Sequence, residues 1–382
     1  MCRLFLLAVP ALVSNAAAAD PACQVQNMAR IGVVGAGLEW HPTDANQIAI
    51  ARPDAKGKHQ IHIVRPDGTD LRCLTCQQVP GGPKVDLHKG VPHWRSDGRY
   101  LFLQVEQEKH SAGAMAQPGS GRNNDIWATT PAGDRWWQLT NRENGSDGGT
   151  LFPVPSHKGD RLAWAERFAG PRKPLKALAG MIAKNPPPDI WGRWRMALAD
   201  IVEGSDGSIS LRNKRVFAPG NADFYEMQVW SPDDQAIYFA ASINRKSPYV
   251  LDLWRYETDS QKLTALSDTD NHWEEHIAFS RSGRKAVYMS SECCTWNSGD
   301  VRTLQAELYL MNGDGSERVK LTSFNEPGGR DYDSTAKSVV AKGVWSPDGR
   351  RVALARILIN QANTEKRPTD LWMLSFGGAC GR

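Results

Sequence analysis

One recurring motif constrains this chain more than any other feature. An anchor resembling W-S-P-D-G returns six times, and an apolar run follows each copy. It reads EWHPTDANQIAIA from Glu39, HWRSDGRYLFLQ from His93 and VPSHKGDRLAWA from Val154. It then reads VWSPDDQAIYFA from Val229, AFSRSGRKAVYM from Ala278 and VWSPDGRRVALA from Val344. Aligned, its first column holds Trp40, Trp94, Pro155, Trp230, Phe279 and Trp345, with the third copy the most degraded. Asp-Gly and Pro-Asp-Gly supply the dihedrals that reverse a strand within a few residues. The runs on either side alternate apolar and polar residues and are rich in Val, Ile, Leu and aromatics, as strands are.

A second motif follows each anchor. It reads HQIHIVRPDGTDLRCLT from His59, NDIWATTPAGDRWWQLT from Asn124 and LDLWRYETDSQKLTALS from Leu251. ELYLMNGDGSERVKLT from Glu307 and DLWMLS from Asp370 complete the clear copies, and the third unit has only the weak WRMALADIVEGSDGSISLRNKRVF. Each unit therefore reads as strand, turn, strand, longer loop, strand, turn, strand. A lone four-stranded sheet cannot bury both faces, whereas six arranged radially can. The recurring Trp and Phe column is expected in the core between units.

Together these motifs resemble the WD40-like, or PD40, repeat of TolB-type propellers, over nearly the whole chain after its first residues. The resemblance implies an all-β, six-bladed β-propeller of four-stranded antiparallel blades. It says little about function, because such propellers serve as scaffolds, binding modules and enzyme platforms.

The chain ends after DLWMLS without room for a last outer strand. The segment Gln24 to Val34, ahead of the first anchor, is the natural candidate to supply it and close the ring. Cys23 and Cys380 would then meet at one edge, within reach of a disulfide. Seven cysteines are present, and Cys2 falls in an expected signal peptide: Arg3, an apolar run from Leu4 to Val13, and an A-x-A site at Ala17 and Ala19. Cleavage before Asp20 leaves six cysteines in a single domain over 20–382, exported to the periplasm or beyond. Six cysteines allow 15 pairings. Proximity favours Cys73 with Cys76, Cys293 with the adjacent Cys294, and Cys23 with Cys380; free buried thiols remain the other reading of the two short-range pairs.

Several function classes drop out. A net charge of +4 on 382 residues does not point to nucleic acid. No later segment is long and apolar enough for a membrane-spanning helix. IGVVGAG, Ile31 to Gly37, starts like a dinucleotide fingerprint, but Trp40 stands where the third glycine belongs and Pro42 where a helix should begin. There is no G-x-S-x-G, P-loop or H-E-x-x-H, and the C-x-x-C at Cys73 lies at a strand end rather than a helix start.

Propeller geometry puts the tight hairpins on one face and the longer connections on the other. The long ones span about 107–123, 168–193, 242–249, 291–305 and 360–368, and elaborated loops on one face are where ligand contacts tend to be built. The blade-three insertion, about 168–193, carries Lys176, Ala177, Leu178, Met181 and Ile182 at helical spacing. Its basic residues suit either an anionic partner or plain solvation. Residues leading into the first strands should line the central funnel: Lys89, Tyr225, Glu226, Glu274, Glu275, His276 and Lys342. His88, His272 and His276, with these carboxylates, are candidate ligands for a divalent metal. The bland alternative has His272 and His276 bonded to loop backbone, and their spacing of four suits a helix better than a strand.

Two functional readings follow. The first is a monomeric, non-enzymatic binding or scaffold module, whose partner is an envelope protein or an anionic glycan. The second rests on propeller enzymes such as oligogalacturonate lyases, which hold a histidine-bound metal at the axis: a metal-assisted polysaccharide lyase or hydrolase, with Lys89 or Lys342 holding the sugar carboxylate. No catalytic motif favours the second.

Overall fold

The computed structural model describes residues 20–109, 119–141, 147–177, 186–360 and 369–382. The expected signal peptide, residues 1–19, lies outside them, as do Leu178, Met181 and Ile182 of the insertion. Six four-stranded antiparallel sheets form the body of the chain. Each innermost strand ends on the anchor column: β2 (Ala36–Trp40), β6 (Lys89–Trp94), β10 (Gly149–Pro155), β14 (Tyr225–Trp230), β18 (Glu274–Phe279) and β22 (Ala336–Trp345). These six pack side by side in a closed circle, β22 against β2. The all-β, six-bladed propeller expected from the repeats is the observed architecture.

Seven clusters of buried apolar residues account for the core. Six lie in the seams between neighbouring blades. The anchor aromatics are in these seams, with Trp230 fully buried and Trp40, Trp94 and Trp345 nearly so. Two of them also stitch blades together by hydrogen bonding: the Trp230 indole N–H donates to Val154 O at 2.9 Å and that of Trp345 to Ala278 O at 3.1 Å. The anchor glycine takes a left-handed φ, 71° at Gly98 and 65° at Gly349. In blade four Asp234 holds that conformation instead, at φ 60°. Its carboxylate accepts the backbone N–H groups of His157 and Lys158 from blade three, each at 2.8 Å. Tolerated strain there is matched by an inter-blade contact.

The second motif has an equally physical purpose. Its first polar residue and its closing Thr or Ser stand 15 residues apart and lock the outer strand onto the third. Thr75 Oγ1 donates to Gln60 at 2.7 Å, Thr140 to Asp125 at 2.8 Å, and Thr322 to Glu307. In each case the hydroxyl oxygen accepts the N–H of Ile61, Ile126 or Leu308. Ser267 takes the N–H of Leu253 in the same way, while Thr269 bonds Asp252. Short outer strands of two or three residues are thereby held without a long ladder. Blade three lacks the motif and has long strands instead, β12 (Arg193–Glu203) and β13 (Ile209–Phe217).

The ring closes as the sequence requires. β1 (Val25–Val34) pairs antiparallel with β24 (Asp370–Phe376) and becomes the outer strand of the sixth blade, Val25 opposite Phe376 and Arg30 opposite Trp372. Cys23 and Cys380 form a disulfide with Cα atoms 4.7 Å apart. Cys73–Cys76 and the adjacent Cys293–Cys294 are also bonded. The dinucleotide-like IGVVGAG is the end of β1 and the start of β2, with no helix after it. No helix among the described residues is long and apolar enough to cross a membrane.

Two measurements test this account. Cys23→Ser should lower the unfolding free energy by about 4–5 kcal/mol in chemical denaturation, since the lost bridge closes almost the entire chain. Trp230→Phe should cost about 1 kcal/mol more than Trp94→Phe, because it alone strands a bonded carbonyl; the Trp94 indole N–H has no hydrogen-bond partner among the described residues.

Candidate functional site

Every inner strand is irregular within the five residues before its anchor. Its register against the second strand shifts between Ala36 and Glu39, Gly90 and His93, Leu151 and Val154, Met227 and Val229, Glu275 and Ala278, and Val340 and Lys342. These are bulges, which bend a strand and re-aim its side chains. Four bulge residues have left-handed φ: Gly37, Val91, Phe152 and His276, at 51–58°. Such a backbone is costly for a side chain like valine and persists only where the surroundings impose it.

The re-aimed side chains meet at the axis, as contacts between non-adjacent blades demonstrate. Lys342 Nζ of blade six lies 3.2 Å from His93 Nε2 of blade two and 3.2 Å from Glu39 Oε2 of blade one. Phe152 of blade three is in ring contact with His93 at 6.0 Å and with His276 of blade five at 5.8 Å. His276 Nε2 is 3.1 Å from Glu275 Oε1, and its Nδ1 is 3.7 Å from Glu226 Oε1 of blade four. Gln228 Nε2 donates to Glu226 Oε1 at 3.1 Å. All six blades thus contribute one connected polar constellation around a phenylalanine. Its charged side chains keep a little exposure, from 8% at Glu226 to 27% at Glu39, so water reaches them.

Burial sets the electrostatics. Desolvation, then the charge of Glu275, pushes the Glu226 carboxyl well above its ordinary range. Glu39 is raised by burial, with Lys342 opposing. Burial and the neighbouring Lys342 hold His93 far below the usual imidazole value, as a neutral ring.

The residues expected to line the funnel divide into two groups. Glu226, Glu275, His276 and Lys342 are at the axis. Lys89 is not: its buried Nζ donates to the carbonyls of Lys84, Val85 and Leu87 at 2.7–3.2 Å and to Gln60. Burial pulls its pKa down to about 8. Tyr225 is a core residue whose hydroxyl donates to Pro219 O and accepts from Ala222 N. Glu274 is fully buried and takes the Ser290 hydroxyl at 3.2 Å. These three stand one or two residues ahead of the bulge, where strand pleating turns them aside. Nor do the three histidines converge. His88 Nδ1 is 3.3 Å from His59 Nδ1 and accepts His59 N–H at 3.1 Å. His272 stands half-buried ahead of β18 with its Nδ1 unpartnered among the described residues. Sequence reading missed Glu39, His93, Phe152 and Gln228; their signal is position, one to three residues before the anchor column.

The long-loop face is uneven. Ala177 and Ile190 of the blade-three insertion pack with Tyr249, Trp296 and Leu304 from the next two long loops, and with Val339 of blade six. Trp191, Tyr249, Trp273 and Trp296 continue this cap in ring-to-ring contact, Tyr249 stacked on Trp273 at 6.0 Å. Loops of blades three, four and five that were expected to form a ligand surface thus pack on one another among the described residues. Cys293 packs into the seam between blades four and five. Over blades one and two lies instead a cleft of about 910 Å³, lined by Gln78, Lys84, Glu106, Asp125, Trp127 and Asn141 among others. A second, of about 610 Å³, shares Gln78 and Lys84 with it. Leu178, Met181 and Ile182, expected in a helix across the mouth, lie outside the described residues; the helical turn at 174–177 precedes them.

The raised Glu226 carboxyl carries a sign. The folded state holds its proton more tightly than the unfolded chain does. Its ionisation therefore costs nothing below the unfolded value and destabilises the fold increasingly as pH rises through the folded value. Glu226→Gln should stabilise the protein by about 1–3 kcal/mol at pH 8, with the gain vanishing near pH 4. Thermal unfolding of both proteins across that range checks it.

No protein-family model matches the sequence, and no curated protein is detectably similar to it. Solved structures do resemble the fold. TolB from Acinetobacter baumannii matches with a TM-score of 0.50 and 12% identity, over 87% of this chain and 64% of that one, less than two thirds of its length. Putative TolB from Agrobacterium tumefaciens matches with a TM-score of 0.50 and 13% identity, over 90% of each chain. This chain has the six-bladed β-propeller fold of the TolB structures.

Proposed function

We propose that this chain is an exported, non-catalytic binding module whose partner is a protein segment seated over blades one and two. The observation that carries this reading is the asymmetry of the long-loop face. Among the described residues, an apolar cluster joins the loops of blades three to five with Val339 of blade six, and a cleft of mixed polar and apolar lining, the Trp127 indole included, opens over blades one and two. A cleft of this size mixing amide, carboxylate and amine groups with an aromatic side chain suits a peptide main chain and its side chains. Export is supported by three disulfides, which persist in oxidising compartments, and by the leader-like N-terminus. The TolB likeness supports a scaffold role by fold analogy alone.

An anionic glycan has weaker support. Lys89 is tied to loop carbonyls and Lys342 to Glu39, so neither amine waits for a sugar carboxylate. The metal-assisted lyase reading has lost two of its three candidate histidines to other surroundings and keeps one cluster, Glu226, Glu275 and His276, whose ligand atoms lie within 4.8 Å of one another.

Photo-crosslinking side chains at Gln78 and at Val319 provide the test, the latter an exposed residue on the outer strand of blade five. In envelope-targeted protein, Gln78 should capture one discrete polypeptide that Val319 does not. The purified captured protein should then bind the full chain, and at least tenfold more weakly after Trp127→Ala. Equal capture at both positions, or binding indifferent to Trp127, would sink the proposal.

A further inference from the structure

The axis holds more carboxyl groups than its own lysine pairs. Glu39 has Lys342 at 3.2 Å. Glu226 and Glu275 have no lysine or arginine in salt-bridge contact among the described residues, and only His276 stands between them. Both carboxylates are more than nine-tenths buried as residues, at 6% and 8% exposure. Buried carboxylates without a cation are costly, and proteins pair them, protonate them or use them.

The imidazole reveals what is missing. Its two nitrogens lie on different edges of the ring and look toward different carboxylates. In the tautomer that carries its proton on Nε2, 3.1 Å from Glu275 Oε1, Nδ1 is a lone-pair acceptor. That Nδ1 is buried and has no hydrogen-bond partner among the described residues. Glu226 Oε1 lies 3.7 Å away, too far to bond it, and the only side-chain donor to Glu226 among the described residues is Gln228. Two acceptors thus face each other with no donor between them but the proton that burial favours on Glu226, which a cationic donor would displace.

A positively charged hydrogen-bond donor satisfies this gap. One ligand atom from each of Glu226, Glu275 and His276 lies within 4.8 Å of the others, a set that a divalent cation also fits, so a metal ion is the competing occupant that the test includes. A primary ammonium needs only acceptors and negative charge, and it brings three N–H donors on one atom. Its alkyl stem would find the Phe152 ring, which packs against His276 at 5.8 Å and already carries Lys342 Nζ over it at 5.8 Å.

We propose that Glu226, His276 and Glu275 form a receptor for a primary alkylammonium, supplied by a lysine side chain or a chain N-terminus of the partner segment. This deepens the binding-module reading and rests on it. Small amines serve as probes, so a failure here leaves the crosslinking result at Gln78 untouched, and the two readings fall separately.

Calorimetric titration of the full mature chain tests it with n-butylammonium, and with n-butanol as the uncharged counterpart. Butylammonium should bind saturably and butanol should not. Affinity should fall at least tenfold in Glu226→Gln and, as a second variant should the first not fold, in Glu275→Gln. Nα-acetyl-lysine amide and glycylglycine amide then separate the two sources of the ammonium, whichever binds tighter naming it. No saturable amine binding to the wild-type protein would overturn the proposal. So would amine affinity unchanged in the variants, or stoichiometric Mn²⁺ or Zn²⁺ uptake that excludes the amine.

Discussion

The pairing of β1 with β24 is the contact on which the rest of the molecule depends. Each blade buries its faces only against its neighbours, so an open row of six would leave two sheets half exposed. By crossing to the last blade, the first strand makes the two ends of the chain one sheet. Arg30 lies over Trp372 at 5.2 Å, and Cys23 bonds Cys380 a few residues beyond. This turns six stacked seams into a closed circle, in which no seam opens without straining the others. The contacts across the axis are possible only because the circle is closed.

Closure also explains why the bulges matter. Six strands converging on an axis have little room, and regular pleating would present the same small surface from each blade. One irregularity per strand, close before each anchor, instead gathers Glu39, His93, Phe152, Glu226, His276 and Lys342 into mutual contact. The left-handed backbone at Val91, Phe152 and His276 is conformational cost stored at that place and held by the surrounding sheets. Five of these six side chains are ionisable, and burial moves Glu39, Glu226 and His93 away from their ordinary values. The axis is thus the most strained and the most charged part of an otherwise regular fold.

What sequence could reveal follows from how local each device is. The anchor turn and the lock between residues 15 positions apart are local and recur at fixed spacing, as at Gln60 and Thr75 or Glu307 and Thr322. The blades, their order and the closing strand could therefore be read directly. Blade three shows the limit in the other direction: its motif is degraded, yet its long β12 and β13 pair fully, because ladder length substitutes for the missing hydroxyl lock. The axial constellation was half legible. Glu226, Glu275, His276 and Lys342 could be placed by counting back from the anchor, but counting assumes an unbroken strand. The bulge breaks that count, so Lys89 and Tyr225 were placed at the axis while Glu39, His93 and Phe152 were passed over. Contacts such as Lys342 with His93 join blades two and six, and no periodicity encodes them.

The loops carry the remaining asymmetry. Three of the five long connections spend their apolar residues on one another: Ala177 and Ile190, Tyr249, and Trp296 with Leu304. Among the described residues these side chains are thereby taken up in a shared cluster, whereas Lys84, Glu106 and Trp127 border the cleft over blades one and two. On the axis itself the charge is unevenly shared, with Lys342 and Glu39 satisfied toward blades six and one, and Glu226 and Glu275 short of a cation toward blades four and five. A ligand drawn by that imbalance would have to be narrow, extended and positively charged at its tip. Those requirements describe a protein segment better than a sugar chain, and they arise from packing and charge without any catalytic group.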